Sequence, residues 1–358
     1  MRGSLVRRGG IVLAALALPL LFVGPASAAS SSGSSSSSTK LAPATLNGSG
    51  STFQYGFNQV VIGGFKQAQH AVTINYQSVG SGQGRTDFAN QVTDFGGTDA
   101  AYGTTGTLPP APYLYFPTVV APITVSYNLP GVKALNLSAD TIAKIFQAQI
   151  TTWNDPAIKA DNPKAKLPST TITVAHRSDG SGTTANFTLF LTKAAPTTWT
   201  LGTGSTVAWP ASTQGGSGNT GVAQLVKTTE GAIGYVDFSD ANASDLTYAA
   251  VKNSTGKFIT PSIAAASAAA DGASINANLT YDPTNSDGAA AYPITSPTWI
   301  MVYTTQKDAA KGAAIKGFLN YIYADGQKLA SSVDYAPLPK GLLKQAKKQV
   351  NSIVVPAA

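Results

Sequence analysis

Two hydrophobic periods alternate along most of the chain, and this alternation limits the fold more than any other feature. Val72, Ile74 and Tyr76 repeat at every second residue, as do Ile172 and Val174, which is the spacing of strands. Between these pairs, Tyr113 to Leu129 is a long apolar segment punctuated by proline. Its Val119, Val120, Ile123 and Val125 predict buried strands. Ile315, Phe318, Leu319, Ile322 and Tyr323 fall at helical spacing instead. So do Phe187, Phe190 and Leu191, and likewise Ile142, Ile145 and Phe146 behind a Ser138 cap. Phe53, Phe57, Val61 and Phe65 make a fourth helical face, interrupted by Gly63-Gly64. Strands alternating with helices predict an α/β fold with mostly parallel sheets. Such folds meet their ligands at the carboxyl ends of strands, beside helix N-termini. At 358 residues the chain exceeds one comfortable core, so two lobes are expected.

The two ends of the chain read differently. Arg2, Arg7 and Arg8 precede an apolar stretch, Ile11 to Val23, and the small residues Ala26-Ser27-Ala28. This pattern predicts a secretory signal peptide over residues 1–28, cut near Ala28, because the apolar stretch is shorter than a membrane span needs. Residues 29–40 follow as a Ser-rich flexible linker with nothing to bury. The Lys340 to Lys348 tail predicts a helix with a solvated basic face.

Composition narrows the chemistry. The chain has no cysteine, which excludes disulfides, thiolate metal sites and cysteine nucleophiles, and also a lipid anchor on cysteine. Its two histidines, His70 and His176, are too far apart in sequence for a local metal motif, so no metal and no cofactor are expected. Loss of residues 1–28, with three arginines and no acid, takes the formal charge from +7 to +4. The remaining basic residues are scattered, so nucleic acid is not an expected partner, while small anions are.

Gly-Ser-Gly occurs four times beyond the linker: at Gly48-Ser49-Gly50, Gly80-Ser81-Gly82, Gly180-Ser181-Gly182 and Gly216-Ser217-Gly218. Each precedes a predicted helix, and two also follow a predicted strand. Glycine permits the turn and a close approach to a ligand. The turn then presents the first N–H groups of the next helix, which have no intrahelical acceptor and suit an anion. Ser and Thr hydroxyls add neutral donors. Arg177, just before the third turn, could hold an oxyanion, with Asp179 placed to orient it. Asp99 ends the run Thr93-Asp-Phe-Gly-Gly-Thr-Asp99. Its position fits two roles, a helix N-cap or an acceptor for the proton of a protonated anion.

Other chemistries fit less well. No Gly-x-Ser-x-Gly elbow is present, and Gly256-Lys257 is followed by Phe258 rather than by Ser or Thr. Gly180 to Ala185 resembles a dinucleotide fingerprint without its downstream acid. His176, Asp179 and Ser181 supply the residue types of a triad, but His176 is expected to end a strand.

Motifs in order along nearly the whole mature chain resemble the phosphate-binding proteins of bacterial high-affinity ABC-type phosphate importers. They are Gly48-Ser-Gly-Ser-Thr-Phe53, Asn75-Tyr-Gln-Ser-Val-Gly-Ser81, Asp94-Phe-Gly-Gly-Thr-Asp99, Phe116-Pro-Thr, Trp153-Asn-Asp155, Arg177-Ser-Asp-Gly-Ser-Gly-Thr183, Gly202-Thr-Gly-Ser205, Gly231-Ala-Ile-Gly-Tyr235 and Tyr292-Pro-Ile-Thr-Ser296. The resemblance implies a type II periplasmic-binding-protein fold, two α/β lobes with a ligand cleft between them. Lobe 1 would take residues 41–125 and about 290–358, and lobe 2 about 126–289.

The resemblance also implies the contacts to inorganic phosphate. Ser51, Thr52 and Phe53 would form the first helix-start contact, with Ser51 acting through its backbone. Ser81 would give a hydroxyl, and Asp99 would accept the phosphate proton. Arg177 would be the cation with Asp179 as its salt partner, and Ser181, Gly182 and Thr183 would be the third helix start. The turn at Gly216-Ser217-Gly218 would be structural only. A non-enzymatic, monomeric receptor is implied, periplasmic or secreted, which would deliver phosphate to membrane permease subunits. Binding of another tetrahedral oxyanion and secreted phosphatase activity are the alternatives.

Overall fold

The structure is a computed structural model and describes residues 40–103 and 107–357. The expected signal peptide and all of the Ser-rich linker except Lys40 lie outside the described residues. Chain order runs β1 (Ala44–Gly50), α1 (Tyr55–Ala68), β2 (Val72–Ser78), α2 (Ser81–Ala89), β3 (Phe95–Thr98) and β4 (Tyr113–Tyr127). Next come β5 (Asn136–Leu137), α3 (Ala139–Phe146), α4 (Pro156–Asp161), β6 (Thr173–Arg177), α5 (Gly182–Ala194), β7 (Gln214–Gly216), α6 (Gly218–Thr228), β8 (Ala232–Asp237) and α7 (Phe238–Ala243). The remainder is β9 (Thr247–Tyr248), β10 (Ala250–Lys252), β11 (Phe258–Ile259), α8 (Ile263–Asp271), β12 (Thr295–Tyr303), α9 (Ala309–Tyr321), α10 (Gln327–Leu329) and α11 (Lys340–Gln349).

The strand and helix periods therefore fold as strands and helices. In α9 the residues Ile315, Phe318 and Leu319 are buried, and the stripe continues through Ile322 and Tyr323 in a π-helical turn. In α1, Phe57, Val61 and Phe65 face the core, and Gly64 leaves room for Tyr321, whose hydroxyl oxygen would lie 2.1 Å from a Cβ there. Phe53 precedes that helix but is fully buried beside Tyr335, with ring centroids 6.3 Å apart. The C-terminal helix buries Leu342 and Ala346 and exposes Lys340, Lys344, Lys347 and Lys348.

One nine-stranded sheet runs β2-β1-β3-β12-β4-β8-β6-β7, with β9 also paired to β4. The expectation of mostly parallel pairing is corrected. Pairing is parallel on the two flanks, β2-β1-β3 and β8-β6-β7, and antiparallel through the middle, where β12 and β4 sit. The apolar segment forms one 15-residue strand rather than several. Residues Tyr113 to Pro122 of β4 pair with β12, and Ile123 to Tyr127 pair with β8. One strand thus joins two sheet halves. Helices α1 and α2 lie on the βαβ connections of one half and α5 and α6 on those of the other, and the turns at Gly80 and Gly180 meet where the halves come together.

Candidate anion-binding site

All four Gly-Ser-Gly turns lead into helices, and three of these helices begin at or beside the turn: α2 at Ser81, α5 at Gly182 and α6 at Gly218. The first turn differs. Gly48 to Gly50 finishes β1, and Ser51 to Gln54 make a turn before α1 starts at Tyr55. Gly80 sits at φ +89°, and a Cβ there would meet an Asp179 carboxylate oxygen at 2.3 Å. The two halves touch backbone to backbone, since Gly82 N–H donates to the Gly180 carbonyl at 2.8 Å.

Asp99 lies just past β3 with no helix after it, so the N-cap alternative is eliminated. Its carboxylate is buried and accepts from the Ser51 hydroxyl at 2.6 and 2.7 Å and from the Ser81 hydroxyl at 3.1 Å. Burial raises its pKa above the ordinary value of 3.8. The Ser51, Thr298 and Ser81 donors and the charge of Arg177 pull the other way. Ser51 brings a backbone N–H and a hydroxyl to this region. Its N–H already donates to the Gly97 carbonyl at 2.9 Å inside the sheet, and it is the side chain that faces Asp99.

On the other half, β6 ends at Arg177 and aims a buried guanidinium into the same region. Asp179 holds it in a two-point ion pair. Arg177 Nε donates at 2.8 Å to Oδ1, and Nη2 donates to Oδ2. Burial tends to raise the Asp179 pKa, but the bonds and charge of Arg177 and the N–H of Gly218 outweigh it, so the net shift is downward. Ser181 caps α5 by accepting from Thr184 N–H at 3.0 Å. Gly182 and Thr183 open that helix, so their N–H groups have no intrahelical acceptor. A Cβ on Gly182 would sit 2.6 Å from both the Asp99 side chain and the Ser81 hydroxyl, which measures how closely the halves meet. The Asn186 amide ties α5 to the Asp99 carbonyl at 2.7 Å.

Sequence reasoning missed Asn219, the second residue of α6. Its buried amide donates to the Thr52 hydroxyl at 3.0 Å and to the Thr183 hydroxyl at 3.2 Å, one from each half. Both oxygens accept, so each hydroxyl keeps its hydrogen to donate to an anion. The fourth turn was the available signal. It touches the site directly, since Gly218 N–H donates to Asp179 at 3.0 Å. The triad reading also fails geometrically. The His176 ring stacks on Trp209, its Nδ1 meets the Arg177 carbonyl, Asp179 serves Arg177, and Ser181 serves its own helix. Among the described residues no group of three or more His, Asp or Glu side chains is placed to hold a metal ion. No helix of the described residues is long and apolar enough to cross a membrane.

Neutral hydroxyls, free helix-start N–H groups, one compensated arginine and one buried carboxylate, gathered where two α/β halves meet, define a type II periplasmic-binding-protein architecture. Comparison with known proteins bears this out. The PBP superfamily domain matches residues 28–326. The phosphate-binding protein PstS of Xylella fastidiosa (strain 9a5c) is 36% identical over 308 residues, which cover 84% of this chain and 83% of the relative. The phosphate-binding protein PstS 2 of Mycobacterium tuberculosis is 34% identical over 325 residues, 86% of this chain and 87% of the relative. Among solved structures, a high-affinity periplasmic phosphate-binding protein, PfluDING, bound with phosphate, superposes with a TM-score of 0.71 at 20% identity, covering 88% of this chain and all of that one. The phosphate-binding protein of Stenotrophomonas maltophilia gives a TM-score of 0.65 at 20% identity, covering 86% and 94%. The chain belongs to the PstS family of phosphate-binding proteins.

Proposed function

We propose that this chain is the extracytoplasmic receptor of a phosphate ABC importer and captures inorganic phosphate between its two halves. Thr52, Phe53, Ser81, Gly182 and Thr183 supply neutral donors, Arg177 supplies the cation, and Asp99 accepts the proton that phosphate still carries at neutral pH. Ser51 and Ser181 serve the ring indirectly, one by holding Asp99 and the other by capping α5. The two halves are lobes, residues 41–125 with about 290–358, and about 126–289. The change of β4 partners at Pro122 and Ile123 supports an outward crossover there. Phosphate docks on one lobe, the other closes over it, and the closed form delivers its cargo to membrane permease subunits. The protein acts outside the cytoplasm, as a monomer, with no cofactor and without catalysing a reaction.

The observation that carries this reading is the buried Asp99 carboxylate, which feels the charge of Arg177 and meets Gly182 across the meeting point of the halves. A carboxylate beside an anion is repulsive unless a proton lies between them. Sulfate brings none at neutral pH, so the same residue rejects it. Calorimetry with both anions tests this. The wild type should bind phosphate and ignore sulfate, and Asp99→Asn should keep phosphate while admitting sulfate. A wild type that takes sulfate as readily as phosphate, or takes neither, ends the proposal.

A further inference from the structure

Arg85 belongs to no motif above, yet it reaches both sides of the site. It projects from α2, one turn after Ser81, and is half-buried. Its Nη1 donates to the Thr98 hydroxyl at 3.1 Å and to the Ala100 carbonyl at 3.3 Å. These two residues flank Asp99. Its Nη2 donates to the Ser205 hydroxyl at 3.2 Å, on the connection between α5 and β7 in the other half. Ser205 is itself tied to the anion-facing turn, because its carbonyl accepts the Ser181 N–H at 2.9 Å. One guanidinium therefore links the residues around Asp99 to the residue that caps α5.

The surroundings of Arg85 are unusual for an arginine. The ion pairs among the described residues involve Arg177, Lys193, Lys227, Lys311 and Lys328, and none pairs a carboxylate with Arg85. Burial lowers its pKa, and the charge of nearby Asp99 is among the influences that oppose this. A guanidinium kept in a partly desolvated place without an ion-pair partner must be held by its hydrogen bonds. Two of those bonds lie within its own half and would persist if the halves parted. The bond to Ser205 would not. The Gly202-Thr-Gly-Ser205 motif, which the phosphate contacts leave unused, supplies the acceptor.

We propose that Arg85 and Ser205 form a clasp that closes when the two halves meet and slows the escape of the bound anion. The clasp rests on the phosphate reading of the site. Arg85 is a positioning residue in this scheme, because it acts on Asp99 and Ser181 through their neighbours and does not touch the anion. Its contribution should appear in dissociation, since the bond exists only in the closed arrangement.

Stopped-flow kinetics with inorganic phosphate on the full mature chain tests the clasp. Ser205→Ala removes only the bond that Arg85 makes to the other half and leaves its bonds to Thr98 and Ala100. It should raise the phosphate dissociation rate about tenfold with the association rate within about twofold, as expected for loss of one charge-assisted hydrogen bond. Arg85→Met should raise it at least as much, and Arg85→Lys, which keeps a donor but loses the fork, should fall between. Adding Arg85→Met to Ser205→Ala should have less effect than adding it to the wild type, because the two residues share one bond. Circular dichroism and melting of Ser205→Ala establish that the fold is intact. If the wild type binds phosphate and Ser205→Ala releases it at the wild-type rate, the clasp is wrong and the site stands. If the wild type takes up no phosphate, the reading beneath it falls first.

Discussion

The hydroxyl of Ser51 sits within 2.6 and 2.7 Å of the two carboxylate oxygens of Asp99. It donates to one side of the carboxylate and so favours the ionised form, which burial alone would disfavour. Asp99 has to be ionised to accept a proton from its ligand. Replacing Ser51 by Ala removes this donor and should raise the Asp99 pKa further, because burial then acts with less to oppose it. The acid limb of phosphate affinity against pH would then move toward higher pH, while affinity on the alkaline side would change little. Calorimetry across a pH series measures it, and superimposable profiles would refute the role.

Gly182 faces Asp99 and Ser81 across the meeting point of the halves. Alanine there would put a methyl group 2.6 Å from both side chains, an overlap that includes the Asp99 Cβ and so forces Asp99 or the start of α5 to shift. Gly182→Ala should weaken phosphate binding by at least a hundredfold while leaving the melting temperature of ligand-free protein within a few degrees. Calorimetry and a thermal melt together check this. Wild-type affinity in the variant would show that the ligand does not need this approach.

The Arg177–Asp179 pair gives a pH signature in stability. The Asp179 pKa is lowered below 3.8 in the fold, so its stabilisation is present above that value and is lost as pH falls through the lower folded value. Asp179→Asn should cost roughly 1–2 kcal/mol near pH 7, a modest figure because the carboxylate is partly open to solvent. The gap between wild type and variant should narrow steadily below about pH 4. Urea unfolding at several pH values reads this directly, and a gap independent of pH would contradict it.

Asp237 shows the opposite sign. It is fully buried at the N-terminus of α7, where Oδ1 accepts from Ser239 and Asp240 while Oδ2 has no donor. Burial and then the charge of Asp240 raise its pKa well above 3.8. The fold therefore loses stability as pH rises through that raised value. Asparagine keeps the acceptor and cannot ionise. Asp237→Asn should be about 1 kcal/mol more stable than wild type at pH 8, with the advantage shrinking toward pH 4. Thermal melts at the two pH values decide the matter.

Local pattern revealed the elements better than their assembly. The two-residue period at Val72 and the helical stripe from Ile315 to Tyr323 are written in burial, which sequence displays directly. The antiparallel centre of the sheet was not legible. Pairing β12 with β4 joins residues about 180 apart, and no local period encodes that. Of the site, the residues beside glycine turns were readable because glycine marks where backbone comes close to something. Asn219 and Arg85 were not, since an amide or guanidinium on a helix looks the same whether it faces solvent or a second half of the molecule. The turn of the Ser51 hydroxyl toward Asp99 was not legible either, because only the register of β1 against β3 shows where its N–H goes.

The continuous strand from Tyr113 to Tyr127 has a mechanical consequence. Because its first stretch belongs to one half of the sheet and its last stretch to the other, neither half can be cut out with all of its hydrogen-bonded edges intact. A gene fragment encoding one half would expose a raw strand margin and aggregate, and denaturation of the whole should proceed as a single cooperative event.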